Sequence, residues 1–292
     1  MRSYYEATAR ERLAAIVDAG SLREILPPTA RTISPHLTAL DLPTAFDDGV
    51  VIGSATLAGM PILAAAQEGG FMGGAVGEVH GAKIVGLLAR AVAERVAGVM
   101  LLLETGGVRL QEANAGLIAV SEIIRAICAA RVTGIPVVAA IGGQYGCFGG
   151  MGIAAACCST VVMSEEGRLG LSGPEVIETA HGVDEFDSRD RALVWRTVGG
   201  KHRYLMGDAQ MLVDDSLDAF RDAIATAIRG GDRLDLTAVE REHALLSRRL
   251  ADYSACKDGE DIWRTMGIDA PEDIPMLPTD VLVAAVAARR AA

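Results

Sequence analysis

The chain has 292 residues, enough for one large domain or two small ones; half of it is apolar but only 4% is aromatic, so its core must be built from Ala, Val, Leu and Ile. A formal net charge of −11 argues against a nucleic-acid surface, which needs clustered Lys and Arg; the ordinary physical consequence of such acidity is solubility. The opening Met1-Arg2-Ser3-Tyr4-Tyr5-Glu6 lacks the apolar segment of a secretory signal, and no apolar run reaches the ~18–20 residues that cross a bilayer, so no membrane partner and a cytoplasmic location are expected.

In chain order, residues 4–26 read as a helix with Leu13, Ile16 and Val17 on one face, broken at Gly20, and Pro27-Pro28 then lead into extended or irregular chain to residue 46. Two short apolar runs, 50–57 and 61–66, separated by Ala58-Gly59, predict a β-hairpin. A glycine-rich loop, 69–77, opens a helix over 78–95 with the stripe Val85, Leu88, Val92 and Val96. The continuous apolar run 98–103 predicts a strand covered on both faces, followed by a helix over 114–131 with Leu117, Val120, Ile124 and Ile127 inward. A second buried strand over 137–141, a small-residue helix over 150–157, and short strands over 160–164 and 168–171 complete this part. Further helices are predicted over 188–198 and 217–229, and mostly helical chain from 231 onward, including 238–255 and 281–290. The expected organisation is one α/β domain over 1–230 and a helical extension over 231–292.

Two glycine-rich loops directly follow buried strands: Glu104-Thr105-Gly106-Gly107-Val108-Arg109-Leu110-Gln111-Glu112, and Gly142-Gly143-Gln144-Tyr145-Gly146-Cys147-Phe148-Gly149-Gly150-Met151-Gly152. Open α/β sheets place ligands at these strand ends, and glycine lets backbone approach a guest with no Cβ between. Peptide N–H groups aimed from both loops at one point would hold a developing oxyanion.

Other readings compete at several positions. The 69–77 loop lacks the single-residue spacing that opens a dinucleotide fingerprint, and no G-K-[ST] follows any glycine loop. As nucleophiles, Ser172 lacks the G-x-S-x-G context and Cys147 has no neighbouring base. Glu104 and Glu112 fit either a general-base pair or loop and helix caps. Arg109 fits either an anion-binding cation at the site mouth or a salt bridge with Glu112. The basic cluster Gly199-Gly200-Lys201-His202-Arg203-Tyr204 meets an anionic carrier or phosphate, or is a solvated turn, while Asp184, Glu185, Asp187 and Asp190 read as an exposed loop and helix start. The five cysteines (128, 147, 157, 158, 256) form no C-x-x-C and read as reduced, mostly buried thiols. The histidines are scattered, so no metal site is expected.

Four ordered motifs carry a resemblance over roughly residues 8–230. They are Ala9-Arg10-Glu11-Arg12-Leu13 with 18–21; Phe71-Met72-Gly73-Gly74 with Gly77, Gly81 and Lys83; the 104–112 loop; and Gly170-Leu171-Ser172-Gly173-Pro174-Glu175-Val176-Ile177. Together they resemble the carboxyltransferase β-type subunits of the crotonase superfamily. The segments 185–191, 194–197 and 199–203 are most similar to the malonate decarboxylase branch of that family, and the amino-terminal zinc ribbon of the bacterial acetyl-CoA carboxylase β subunit has no counterpart here. Thr105 and Val108 depart from the family loop, where Ser and Ala stand.

The resemblance implies a crotonase-like ββα superhelix and an enzyme, a carboxy-lyase that decarboxylates a malonyl thioester on an acyl carrier protein. It implies backbone donors at Gly107, Val108, Gly149 and Gly150, with Phe71, Met72, Gly73, Gly74, Gly106, Arg109 and Met151 against the substrate. The implied cofactor is the phosphopantetheine-type, coenzyme A-like arm of the carrier, with none bound covalently and no metal. The implied partners are a homologous second carboxyltransferase-type (gamma) subunit and the carrier protein. A biotin-dependent carboxyltransferase subunit and a non-catalytic carrier-docking subunit are the alternatives.

Overall fold

The computed structural model describes residues 2–231 and 233–291, leaving aside the side chains of 289–291. In chain order the elements are α1 (Ala9–Ile16), β1 (Arg23–Ile25), α2 (Pro35–Ala39), β2 (Val50–Leu57), β3 (Met60–Gln67), α3 (Glu78–Glu94), β4 (Gly98–Leu102), α4 (Ala115–Val132), β5 (Val137–Ile141), α5 (Gly150–Ala156) and β6 (Thr160–Ser164). There follow α6 (Pro174–His181), α7 (Arg191–Val198), α8 (Gly200–Met206), β7 (Met211–Val213), α9 (Leu217–Gly230), α10 (Leu236–Tyr253), α11 (Gly259–Thr265) and α12 (Thr279–Ala291).

All seven strands form one sheet in sequence order. β1, β2 and β3 are antiparallel, and the β2–β3 turn places Ala58 and Gly59 both at positive φ (48° and 77°), the twist a two-residue hairpin needs. From β3 to β7 the strands are parallel, in registers such as Leu63 opposite Val99 and Val138 opposite Thr160, and helical crossovers cover the sheet. Every residue of β4 and β5 is buried. On one face Ile84, Leu88, Ile123 and Ile127 pack against Val99, Leu101 and Ala139; on the other Leu13, Ile16, Phe220 and Ile224 pack against Met100, Leu102 and Val138.

Several expectations need correction. Residues 4–26 are not one helix: the capping box of Thr8 and Glu11 starts α1, but Val17 is already extended (φ −75°, ψ 165°). The Asp18 N–H then bonds Thr56 O at 2.8 Å, and 23–25 pair with Ile52, Gly53 and Ser54 as an edge strand. The irregular stretch 27–46 contains α2, capped by Ser34. On α4 the expected Val120 and Ile127 are buried along with Ala119, Ile123, Ala126 and Ala130, but Leu117 is 57% exposed; on α3 the expected Leu88 is buried with Ile84, Leu87 and Ala91, while Val85 and Val92 are only partly buried. The reason is close helix approach: a Cβ on Gly81 would lie 2.3 Å from Ala119 Cβ, so small residues make this contact and bulkier ones flank it. The helices α6 and α8 and the strand β7 were not predicted.

The segment 168–171 joins no strand of the main sheet. It belongs to a second, narrow ladder built from the loops that leave successive parallel strands: Val76 bridges Val108, Thr105 bridges Cys147, Cys147 bridges Leu169, and Arg168 bridges Gly199. Each turn of the chain thus contributes one strand to the large sheet and one rung to this ladder. At the carboxyl end Trp263, Ile274, Leu282 and Val286 form a separate apolar cluster on Tyr204 and Leu212.

Candidate active site

The ladder brings the two glycine loops together. Thr105 N–H donates to Gly146 O (2.8 Å), Phe148 N–H to Thr105 O (2.9 Å), and Gly106 N–H to Gly73 O (2.8 Å). Gly107 (φ 135°) and Gly149 (φ 65°) hold backbone conformations that L side chains rarely adopt, and a Cβ on Gly149 would sit 3.2 Å from Gly107 Cα. The two turns therefore meet backbone to backbone. Gly74 is just as constrained, since its Cβ would fall 1.9 Å from Glu104 O.

The expected donors differ in where their backbone N–H groups are bonded. The Gly107 N–H is taken by Thr105 Oγ1 within the loop (3.1 Å), and the Gly149 N–H by Leu171 O (3.0 Å). Val76 N–H bonds Gly107 O and Arg109 N–H bonds Val76 O, which turns the intervening Val108 N–H away from that bridge, and it has no acceptor among the described residues. The amides of Gly150 and Met151, the first two residues of α5, likewise have none. The amides of Val108 and Gly150 are thus open on partly exposed residues, Met151 is wholly buried, and the amides of Gly107 and Gly149 shape the turns. Val108, Gly149 and Gly150 are half-buried, so this backbone faces an opening rather than the core.

Two of the residues expected against the substrate have their side chains engaged within the chain. The Met151 side chain is fully buried in the core and cannot line a pocket. Arg109 is only 4% exposed and its donors are occupied: Nη1 and Nη2 grip Asp47 at 2.5 and 3.1 Å, Nη1 also reaches Glu112 at 3.2 Å, and Nε bonds Ala75 O at 2.9 Å. Burial raises the Asp47 pKa, but the hydrogen bonds and charge of Arg109 outweigh it and hold the carboxyl below its usual range. Glu112 accepts the Glu78 N–H at 2.7 Å and so caps α3.

Glu104 is a tie and has no free oxygen. Arg12 pairs with it from α1, Tyr145 N–H donates to it at 3.1 Å, and Cβ atoms on Gly69 and Gly143 would run into its side chain. Beneath it Gln67 Oε1 accepts Glu104 N–H (3.0 Å) and the Gln67 amide contacts His80 Nε2 (3.0 Å). Complete burial lowers the His80 pKa to about 3, so the ring is neutral.

Of the 71–74 segment, Gly74 is buried, Phe71 stacks against the Arg109 guanidinium (5.4 Å to the ring centroid) and Met72 is 47% exposed. Phe71 and Met72 form one wall of a cavity of about 310 Å³ whose other apolar sides are Leu37, Leu42 and Phe46 from the α2 region. The Cys147 nucleophile reading fails on environment: the thiol is fully buried in the ladder, where desolvation pushes its pKa up. Among the described residues no cluster of His, Cys, Asp and Glu is placed to hold a metal ion, and no helix is long and apolar enough to cross a membrane.

The basic cluster is neither a solvated turn nor a free anion site. It forms the buried helix α8, where Lys201 Nζ bonds Pro275 O (2.7 Å) and Glu165 (2.9 Å), and Arg203 pairs with Asp208 (2.9 Å). His202 Nδ1 accepts the Trp263 indole N–H (3.2 Å), and burial lowers its pKa to about 4. The acidic stretch behaves as expected, with Asp190 capping α7 through the Leu193 N–H. What the sequence did not reveal is Asp47, which has no local signal, and the Thr105 hydroxyl, which stood out only as a departure from the family loop.

A carboxyl transferase domain matches residues 4–224. The chain belongs to the carboxyl transferase family. Over nearly its whole length it is similar to the malonyl-S-ACP:biotin-protein carboxyltransferase MADC of Malonomonas rubra, with 40% identity covering 97% of this chain and 95% of that one. Among solved structures it is similar to a Pseudomonas malonate decarboxylase hetero-tetramer in complex with malonate (44% identity, 91% of this chain and 97% of that chain, TM-score 0.82). It also resembles the Pseudomonas malonate decarboxylase MdcD–MdcE hetero-dimer (42% identity, 86% and 97%, TM-score 0.69). The expected crotonase-like carboxyltransferase architecture and the resemblance to the malonate decarboxylase branch are borne out.

Proposed function

We propose that this chain is the β-type subunit of malonate decarboxylase and that it decarboxylates a malonyl thioester carried on the phosphopantetheine-type arm of an acyl carrier protein. The carboxylate C–C bond breaks, its electron pair passes into the thioester carbonyl, and CO2 leaves an enolate that takes up a proton to become the acetyl thioester. The energetic problem is the thioester oxyanion, which needs donors fixed before reaction. The observation that carries the reading is the pair of unpartnered amides at Val108 and Gly150, on partly exposed backbone beside two touching glycine turns. One such donor is typically worth ~2.7–4 kcal/mol of barrier. Gly73, Gly74 and Gly106 keep side chains out of the approach, and the cavity beside Phe71 and Met72 offers an apolar wall for the arm.

The reading includes a homologous second subunit that completes the site. Its support is the hetero-oligomeric state of the Pseudomonas relatives and an apolar face on the loops and helices next to the turns, where Leu110, Ile118, Leu171 and Val176 are all at least 60% exposed. In this scheme residues 1–230 supply the carboxyltransferase-type unit and 231–292 a helical extension.

A second reading follows from the Malonomonas relative, whose name specifies a biotin protein as the carboxyl acceptor. Assaying malonyl-carrier turnover by the chain with and without its partner subunit, in the presence and absence of avidin, separates the two. Avidin-insensitive release of CO2 is the expected result. Avidin-blocked turnover supports the biotin reading, and full turnover by the partner subunit without this chain overturns both.

A further inference from the structure

The helix α10 has no buried residue although it is amphipathic. Leu236 (72% exposed), Val239 (50%), Leu246 (52%) and Leu250 (72%), with His243 and Tyr253, stand at positions 236, 239, 243, 246, 250 and 253. That spacing of three and four is an a/d heptad seam, which a lone helix has no reason to keep.

The seam is symmetric about its midpoint. Reversing the helix around the bond between residues 244 and 245 lays Leu236 on Tyr253, Val239 on Leu250 and His243 on Leu246, so every seam position meets another seam position. Charge follows the same symmetry: Glu240, Arg241 and Glu242 make the first half net acidic, and Arg248, Arg249 and Asp252 make the second half net basic, with Arg249 held to the body by Asp208 at 2.7 Å. An antiparallel copy sets acidic half against basic half, whereas a parallel copy sets like against like.

The location leaves room for such a copy. Gly231, just ahead of α10, packs on Pro136 at the start of β5, and Arg249 reaches Met206 and Asp208 ahead of β7. Both anchors lie at the amino-terminal ends of the parallel strands, and the glycine turns lie at the carboxyl-terminal ends.

We propose that α10 is a self-association surface that pairs antiparallel with α10 of a second copy of this chain, joining two molecules back to back with their glycine turns facing outward. A seam of 18 residues is about 27 Å long, so the pairing is expected to be concentration-dependent.

The test is sedimentation or light scattering of the full chain, alone and purified with its partner subunit, from about 1 to 100 µM, a range bracketing micromolar affinity. The expected result is a mass rising from one copy to two, abolished by L246E/L250E with helical circular dichroism unchanged. A nitroxide pair carried at position 236 should report a separation of about 25 Å, the axial span between residues 236 and 253. A single-copy mass at every concentration overturns the proposal. So do a doubled mass that survives L246E/L250E, nitroxides in near contact (a parallel pair), and a double variant that sheds a different subunit while the copy number stays the same.

Discussion

Two regions around the ends of β4 and β5 use polar groups in opposite ways. Below the glycine turns, Arg12–Glu104 and Arg109–Asp47–Glu112 are buried ion pairs in which each guanidinium and carboxylate has a partner inside the chain. At the turns themselves glycines predominate, and the partly exposed amides of Val108 and Gly150 have no acceptor among the described residues. The charged region is electrostatically closed, and it holds the loops in place; the neutral region is open and carries unspent donor capacity. A buried charge that already has its counter-ion gains little from a substrate, while a preorganised amide pays no reorganisation when negative charge appears in front of it. Chemistry is therefore expected from the backbone, and stability from the ion pairs.

The sharpest way to break this contrast is to remove an open amide. Gly150 is the first residue of α5, a position where proline keeps the helix and deletes only the N–H. Because a Cβ there would lie 2.6 Å from Val120 Cγ1, the substitution is made as Gly150→Pro with Val120→Ala, and Val120→Ala alone is the control. A fall in kcat of about 10²-fold or more is expected, the loss typical of one oxyanion donor; full turnover by the folded double variant would show that this amide takes no part.

Arg109→Met is the counterpart in the closed region. It leaves Asp47 and Glu112 buried without a cation, and a loss of about 3–5 kcal/mol in urea unfolding is expected. Arg109→Lys should not restore it, because a lysine cannot reproduce the fork on Asp47. Unchanged stability with a raised KM would return Arg109 to the substrate.

Thr105→Val lies on the border between the regions. It removes the Oγ1 acceptor of the Gly107 N–H at a cost of about 1 kcal/mol and should leave kcat within a few-fold. A collapse of kcat as deep as that of the Gly150 variant would mean that the shape of the turn, rather than its open amides, limits the rate.

A last contrast concerns pH. His202 has a folded pKa of about 4, below its ordinary value, so the unfolded chain takes up a proton first and stability falls as pH drops from about 6.5 towards 4. His202→Gln should show a smaller change in urea midpoint between pH 7 and 5 than the wild-type chain. An unaltered pH profile would place the acid sensitivity elsewhere.

Much of the frame was legible in the chain itself. The hairpin at Ala58-Gly59 and the strands 137–141 and 160–164 follow from short apolar runs between turn residues, and their observed limits agree with that reading. The glycine motifs pointed to the family by their order and spacing, while the steric reason for Gly74, whose Cβ would meet Glu104 O, came only with the fold. Charged residues were harder to read. Arg109 had Glu112 three residues away in sequence, but its main partner, Asp47, is 62 residues distant. Lys201 and His202 looked like a surface cluster because nothing local shows that Pro275 and Trp263 fold over them.

By itself, then, the order of residues determined the elements whose cause is local: apolar period, capping side chains, and glycine where φ must be positive. Only the tertiary structure decided which amides remain open, because an N–H is closed by whichever acceptor the fold carries to it. The Leu171 carbonyl that takes the Gly149 amide lies 22 residues further along the chain, and the rungs joining Thr105 to Cys147 and Cys147 to Leu169 exist only once three turns of chain have stacked. Hydrogen bonding of this kind depends on distance in space, which separation along the chain does not encode.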